Sequence, residues 1–247
     1  MKPKIALIIP CYNSMKFLPQ CIESTLSQDY ENYEVYAYDN ESTDDTVLYL
    51  ESQVQLYDKL KMVSVKNVYS NSYREAFEHA FENVDTDYLT FIASDDYVSN
   101  DYVSKCMKIF AHAPTKIKCL QSELIGTSTQ GFTGKQSHVY RNLEEFKNQC
   151  MIKSPVNTPT VIYHKEIYPF LKMEAHEKKE LDCSGAEDYD MFCSLADNNI
   201  FIYPVPQHLG YFYRWHEDQC TWKVRQQKKS IDYDKIIQEY WKYKWGL

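Results

Sequence analysis

Glycine is scarce in this chain: there are six copies in 247 residues, none before Gly126. The first half therefore holds no G-x-G-x-x-G turn and no G-x-x-x-x-G-K-[ST] loop, the glycine devices that let a backbone wrap a phosphate. Rossmann dehydrogenases and P-loop enzymes are excluded, and any nucleotide must be held another way. Positive charge is also in short supply. Net charge is −8 at pH 7, so the basic footprint that a nucleic-acid backbone requires is missing. The eight cysteines are scattered, with no C-x-x-C pair among them, which leaves zinc-ribbon and thioredoxin-like readings unsupported. No apolar run approaches the length of a membrane span, and the opening KIALIIP is too short for a signal-peptide core with its cleavage site. Free thiols in a reducing, cytoplasmic setting are expected.

What remains is ordinary for a soluble globular protein, with 44% hydrophobic and 25% charged residues. Tyrosine alone is over-used, at 22 copies. Tyrosine is frequent in sugar and base sites but also in plain cores. The length suits one large domain, or one domain with a small appendage.

Along the chain, IALIIP reads as a buried parallel strand. Residues 15–27 follow at helical spacing, with Ser14 as the expected N-cap. YEVYAYD is a second strand ending on Asp39, and Ser42 with Asp45 matches a capping box before the next helix. KLKMVSV, SYREAFEHAFENV and YLTFIAS continue the alternation as strand, helix and strand. This rhythm predicts an α/β domain with a mainly parallel central sheet flanked by helices. Further on, a helix is expected over 101–112 and a hairpin with its loop around Gly126 to Gly134. A helix is also expected in AEDYDMFCSLADNN, and separate strands in IFIYPVP and LGYFYRWH. A C-terminal amphipathic helix should run from Asp232 to Trp245.

Ligands of open α/β sheets bind beyond the carboxyl ends of the strands. Pro10 to Asn13, Asp39, and the adjacent Asp95 and Asp96 all fall at such ends. A solvated strand exit would explain the two aspartates plainly. Hard carboxylate oxygens also attract Mg²⁺ or Mn²⁺, which commonly bridge protein carboxylates to substrate phosphates.

The blocks IIPCYNSMKFLPQCIESTLSQDYENYEVYAYDNESTDDT, ASDD, GAEDYDMF and YRWHEDQCT occur in that order. Together they resemble the family 2 glycosyltransferases of the GT-A fold, over residues 4 to about 222. The resemblance implies an inverting, metal-dependent transfer of a hexose or N-acetylhexosamine from a UDP-sugar to a hydroxyl of a glycan, free or lipid-linked. Pro10, Tyr12 and Asn13 would line the nucleotide pocket. Asp39 would accept from the N3–H of uracil, since a carboxylate only accepts, and the same chemistry would also take thymine or guanine. Asp95 would contact the ribose or diphosphate. Asp96 would hold Mn²⁺ or Mg²⁺ with His216 nearby, and Asp188 would be the catalytic base, assisted by Glu187. It further implies a nucleotide-binding half over 1–100 and an acceptor-binding half over 101–222, with 223–247 as the appended helix.

Departures from the family pattern fall at Ala93, where an aspartate is common, and at Asn40 and Glu41, where DNES replaces DDGS. Ser194 stands where an arginine often follows the E-D motif. Two other classes compete. A non-catalytic sugar or nucleotide binder derived from a transferase would not need Asp188. A sugar-phosphate nucleotidyltransferase would need a glycine-rich basic loop where CYNSMKF stands. The basic run Lys223, Arg225, Lys228 and Lys229 before an aromatic helix suggests peripheral contact with the inner face of a membrane. Packing of Trp241 and Trp245 on the domain, or on a second subunit of an oligomer, is the plain alternative.

Overall fold

The computed structural model describes residues 2–68, 74–112, 117–181, 185–219 and 231–247. Strand β1 (Ile5–Cys11) is buried along its whole length. Its alternate side chains enter two different cores. Ala6 and Ile8 join one, while Ile5, Leu7, Ile9 and Cys11 join the other. A continuous apolar run with no polar face is what a strand covered on both sides requires. β2 (Tyr33–Asp39), β3 (Leu60–Ser64) and β4 (Tyr88–Phe91) pair in parallel around β1.

Three helices connect these strands: α1 (Leu18–Leu26), α2 (Thr46–Val54) and α3 (Arg74–Asn83). α1 starts later than its periodicity suggests, with Pro19 in its first turn and Phe17 at the cap. Ser14 does not cap it, because its hydroxyl bonds instead to Ser94 Oγ at 2.8 Å. The capping box at Ser42 and Asp45 is not formed either. Asp39 takes the Ser42 amide and Asp44 takes the Thr46 amide.

The second half completes the sheet and makes it mixed. β5 (Tyr97–Val98) precedes α4 (Tyr102–His112). β6 (Cys119–Ser128) and β7 (Gly131–Gln136) form the expected hairpin. After α5 (Leu143–Cys150) come a 3-10 turn at Thr158–Thr160 and β8 (Ile162–His164). α6 (Glu174–Lys178) and α7 (Glu187–Asp197) lead into β9 (Ile202–Arg214). β9 is one irregular strand where two were expected; it stays in the sheet through register shifts against β6. The strand order is β3-β2-β1-β4-β8-β6-β9-β5, with β7 on β6.

α8 (Tyr233–Trp245) begins under the Asp232 carboxylate, which accepts from Lys235 N, and ends at Gly246 in the left-handed conformation. Its apolar stripe is covered by the domain. Trp241 is fully buried, and its indole N–H donates to Asp190 Oδ1 of α7 at 2.8 Å. Trp245 donates to Asp197 Oδ1 at 3.0 Å. Packing on the domain therefore accounts for the aromatic face that had suggested a membrane contact. The basic run at 223–229 lies outside the described residues. Among the described residues no helix is long and apolar enough to cross a membrane. Cys11, Cys21, Cys106, Cys119, Cys150 and Cys193 are buried free thiols.

Candidate active site

The parallel strands β1, β2 and β4 all end on one side of the sheet, and the chain breaks there into polar turns. At the end of β1, Pro10 is buried in the strand and Tyr12 is exposed. Asn13 is left-handed, with φ 48°. Its side-chain carbonyl accepts from Thr43 N at 2.7 Å and Asp44 N at 3.3 Å. Asn13 thus ties this turn to the one after β2, and that carbonyl is already engaged with protein. Asn40 N donates to Cys11 O at 2.9 Å and adds a second tie. Asp39, at the tip of β2, is buried, and among the described residues its side chain takes only the long 3.3 Å bonds from Ser42 N. It therefore retains accepting capacity for the edge of a base.

After β4 the chain turns at Ala93, with Asp96 N donating to Ala93 O at 2.9 Å. The turn separates the two aspartates. Asp96 points inward and is fully buried. Its oxygens accept from the Tyr211 hydroxyl at 2.6 Å and from Arg214 N at 2.7 Å. Burial, then the neighbouring Asp95 charge, pushes the Asp96 carboxyl well above the usual carboxylate range; the Arg214 amide, the Tyr211 hydroxyl and the Arg214 charge oppose this. Each Asp96 oxygen thus accepts one protein hydrogen bond, which anchors this carboxyl in the interior.

Asp95 has the surroundings that were expected of its neighbour. Its side chain is 27% exposed, and Asp95 Oδ2 accepts from His216 Nε2 at 2.9 Å. His216 Nδ1 is buried with no hydrogen-bond partner among the described residues. Such an orphan is the kind of atom that a bound group satisfies. Arg214 fixes the pair. Its Nε donates to Asp95 O and its terminal nitrogen to Gln20 Oε1 of α1, both at 2.6 Å. The guanidinium also lies 4.6 Å from the centroid of the Phe17 ring, which itself sits 4.6 Å from His216.

Asp95 and His216 would be the residues to hold a divalent cation here. Bonds of about 2.0–2.1 Å to an octahedral ion place neighbouring donors about 3 Å apart, and Asp95 and His216 stand at 2.9 Å. A mixed oxygen–nitrogen pair suits Mn²⁺ better than Mg²⁺, which prefers oxygen throughout. Among the described residues no cluster of three or more His, Cys, Asp or Glu forms a self-contained cage. The other positions around such an ion would fall to a diphosphate and water.

Asp188 reaches the same side of the sheet by a different route. β8 runs antiparallel to β4, pairing Ile162 with Thr90, and Thr90 Oγ1 donates to Val161 O at 2.8 Å. The start of β8 therefore lies beside the end of β4, and so does the Thr158–Thr160 turn just before it. Thr158 Oγ1 donates to Asp188 Oδ2 at 2.5 Å, and Tyr189 N donates to Asp188 Oδ1 at 2.8 Å. Asp188 and Glu187 are both half-buried in the first turn of α7. Ala186, the residue before them, is left-handed at φ 62°.

Three of the left-handed non-glycine residues, Asn13, Glu41 and Ala186, flank these turns; the other two described, Glu180 and Asn199, close helices. Backbone strain concentrated around a crevice is a mark of functional sites. Sequence reasoning missed Tyr211, Arg214 and Thr158. Their partners lie 115, 118 and 30 residues away along the chain, a separation that no local pattern encodes.

Residues 6–170 match the model of glycosyl transferase family 2. The chain belongs to that family. It is 24% identical over 199 residues to the chondroitin synthase of Escherichia coli, covering 81% of this chain and 27% of that protein. It is 29% identical over 227 residues to a Methanococcus voltae protein, covering 85% of this chain and 66% of that one. That relative is named dolichyl N-acetyl-alpha-D-glucosaminyl phosphate 3-beta-D-2,3-diacetamido-2,3-dideoxy-beta-D-glucuronosyltransferase. The chain thus spans about a quarter to two thirds of the length of these family 2 relatives. The crystal structure of S. aureus TarS 1-349 in complex with UDP-GlcNAc superposes with a TM-score of 0.62 at 19% identity, covering 87% of this chain and 60% of that one. The fold is accordingly the GT-A α/β fold.

Proposed function

We propose that the chain is an inverting, metal-dependent glycosyltransferase. It would move a hexose or N-acetylhexosamine from a UDP-sugar to a hydroxyl of a glycan, free or lipid-linked. The observation that carries this reading is the placement of two kinds of group at the carboxyl end of β4. There Asp95, from the turn after β4, meets His216, from beyond β9, and Asp188 comes in from the start of α7, oriented by Thr158. Family membership and the UDP-GlcNAc complex of the TarS structure support it.

In this reading Asp39 accepts from the N3–H of uracil, and Tyr12 and Pro10 line the base pocket. Asn13 shapes that pocket through its bonds to 43–44. Asp95 and His216 would hold Mn²⁺, which would offset the charge growing on the departing diphosphate. Asp188 takes the proton of the acceptor hydroxyl as that oxygen forms a bond to the anomeric carbon. The bond from that carbon to the phosphate oxygen breaks, and its electron pair leaves with the nucleoside diphosphate. Glu187 lies next to the base and would orient the acceptor. The donor half is assigned to residues 1–100 and the acceptor half to 101–222. The buried free thiols suit a reducing, cytoplasmic compartment.

The test measures nucleotide binding and turnover together. Saturating UDP with Mn²⁺, at a hundred times its dissociation constant, should stabilise the protein by about 2.7 kcal/mol. The shift should exceed that with GDP or dTDP and should vanish in Asp95→Asn. Asp188→Asn should bind UDP normally yet lose turnover of UDP-sugar by at least about a hundredfold. UDP binding with wild-type turnover in Asp188→Asn would remove the base. UDP binding with no turnover in the wild type, across a panel of sugars and acceptors, would leave a binder.

A further inference from the structure

The side chain that orients Asp188 comes from a different segment of the chain, one held by a buried polar network. Asn157, immediately before Thr158, sits in a buried polar network. Its amide N donates to Gln121 Oε1 at 2.8 Å, and its side-chain nitrogen donates to Ser122 O at 2.9 Å and Gln136 O at 3.0 Å. Gln121 Nε2 donates to the Tyr140 hydroxyl at 2.7 Å and to Pro155 O at 2.8 Å. Thr160 Oγ1 accepts from Ser122 N at 3.0 Å. Gln121, Ser122, Asn157 and Thr160 are all buried. A satisfied buried network of this kind is rigid, because every alternative arrangement strands a polar group. Pro159 restricts the backbone of Thr158 further, since a residue before proline has few conformations.

α7 is entered through the left-handed Ala186, and Asp188 in its first turn is restrained from outside the helix by Thr158. The Thr158 hydroxyl has one proton, and it goes to Asp188 Oδ2. Tyr189 N supplies one donor to the other oxygen. Each carboxylate oxygen is engaged once, which leaves a lone pair on each for an incoming hydroxyl.

We propose that Thr158 is a positioning residue for the transfer reaction: its hydroxyl fixes the Asp188 carboxylate in the orientation that receives the acceptor proton. This rests on Asp188 being the base. A displaced general base lowers the rate of the chemical step without weakening donor binding, and misplacement by about 1 Å can cost about a hundredfold.

Thr158→Val keeps the shape and removes the hydroxyl. Its kcat should fall by about tenfold to a hundredfold, with the KM for UDP-sugar within about twofold of wild type. Thr158→Ser, which restores the donor, should recover most of the rate. In the Asp188→Asn background Thr158→Val should cost nothing further, because the group it positions is gone. Asp188→Asn inactive with Thr158→Val at wild-type kcat would overturn the role while leaving the base intact. So would a raised acceptor KM at unchanged kcat, failure of Thr158→Ser to recover the rate, or an equal further loss in the Asp188→Asn background. Wild-type turnover in Asp188→Asn would instead remove the base, and this role with it.

Discussion

The turn after β4 gives Asp95 and Asp96 different surroundings: the Asp95 side chain is 27% exposed, whereas Asp96 is fully buried. Tyr211 and Arg214 hold Asp96 there by offering it two donors in the interior. The two residues should therefore fail differently. Asp96→Ala leaves a buried hydroxyl and a buried amide without their acceptor, each worth about 1–3 kcal/mol. Together these losses, about 2–6 kcal/mol, should lower Tm by roughly 4–24 °C in a protein of this size. Asp95→Ala, at a side chain that is 27% exposed, should leave Tm nearly unchanged but abolish the Mn²⁺-dependent part of nucleotide binding. Equal thermal losses in the two variants would contradict the assignment. At this scale the sequence showed that carboxylates gather at the ends of β2 and β4. It could not show which of two neighbours turns outward, since that depends on a tyrosine in β9. Glu41 illustrates the same gap. It stands at a glycine-type φ of 58°, and its carboxylate meets Asn67 N at 3.1 Å, from beyond β3.

Elements were easier to read than their ends. Hydrophobic periodicity located the strands and helices of the first half, because each buries one stripe or one run. Caps were misread where a candidate hydroxyl or carboxylate found a better partner across the crevice, as Ser14 did in Ser94. α8 shows how an amphipathic helix can have its covering surface 50 residues upstream. Asp190 of α7 is fully buried and accepts from Ala175 N, from His176 N and Nδ1, and from Trp241 Nε1. Trp241→Phe removes the indole donor, worth about 1–3 kcal/mol, along with part of the ring, whereas Trp241→Ala should cost at least about 3–5 kcal/mol.

His176 makes this junction sensitive to pH. Its Nδ1 faces Asp190 Oδ2 and its Nε2 faces Gly185 O at 3.0 Å, both acceptors, with Glu187 adding negative charge and the Tyr233 ring stacked alongside. Burial works against the ring's charge, but Asp190, the Gly185 carbonyl and Glu187 outweigh it and raise the pKa above the usual histidine value. A raised folded value means that the stabilisation is complete below about pH 6.5, the unfolded value, and is lost as pH rises through the folded one. The stability gap between wild type and His176→Gln should therefore be widest below about pH 6.5 and should narrow in alkali. A gap independent of pH in urea melts would mean that the ring's charge plays no part.

At the scale of the whole molecule, the packing does not follow the proposed division into a donor half and an acceptor half. One continuous sheet runs through both halves. The core on one face joins Ala6, Ile8 and Leu89 to Phe192, Ile202 and Trp241. The core on the other joins Ile5, Leu7 and Ile9 to Tyr102, Leu120 and Tyr211. Neither half can unfold without exposing apolar surface of the other. Urea should therefore unfold the chain in one transition, with backbone circular dichroism and tryptophan fluorescence giving the same midpoint. UDP with Mn²⁺ should move that whole transition, because a ligand that binds only the folded state stabilises every part of a cooperative unit. A chain ending at residue 222 loses Ile237 and Trp241 from the first core and should unfold at a markedly lower urea concentration. Two separated transitions, or an unchanged midpoint after that truncation, would show that α8 is an appendage and that the two cores are independent.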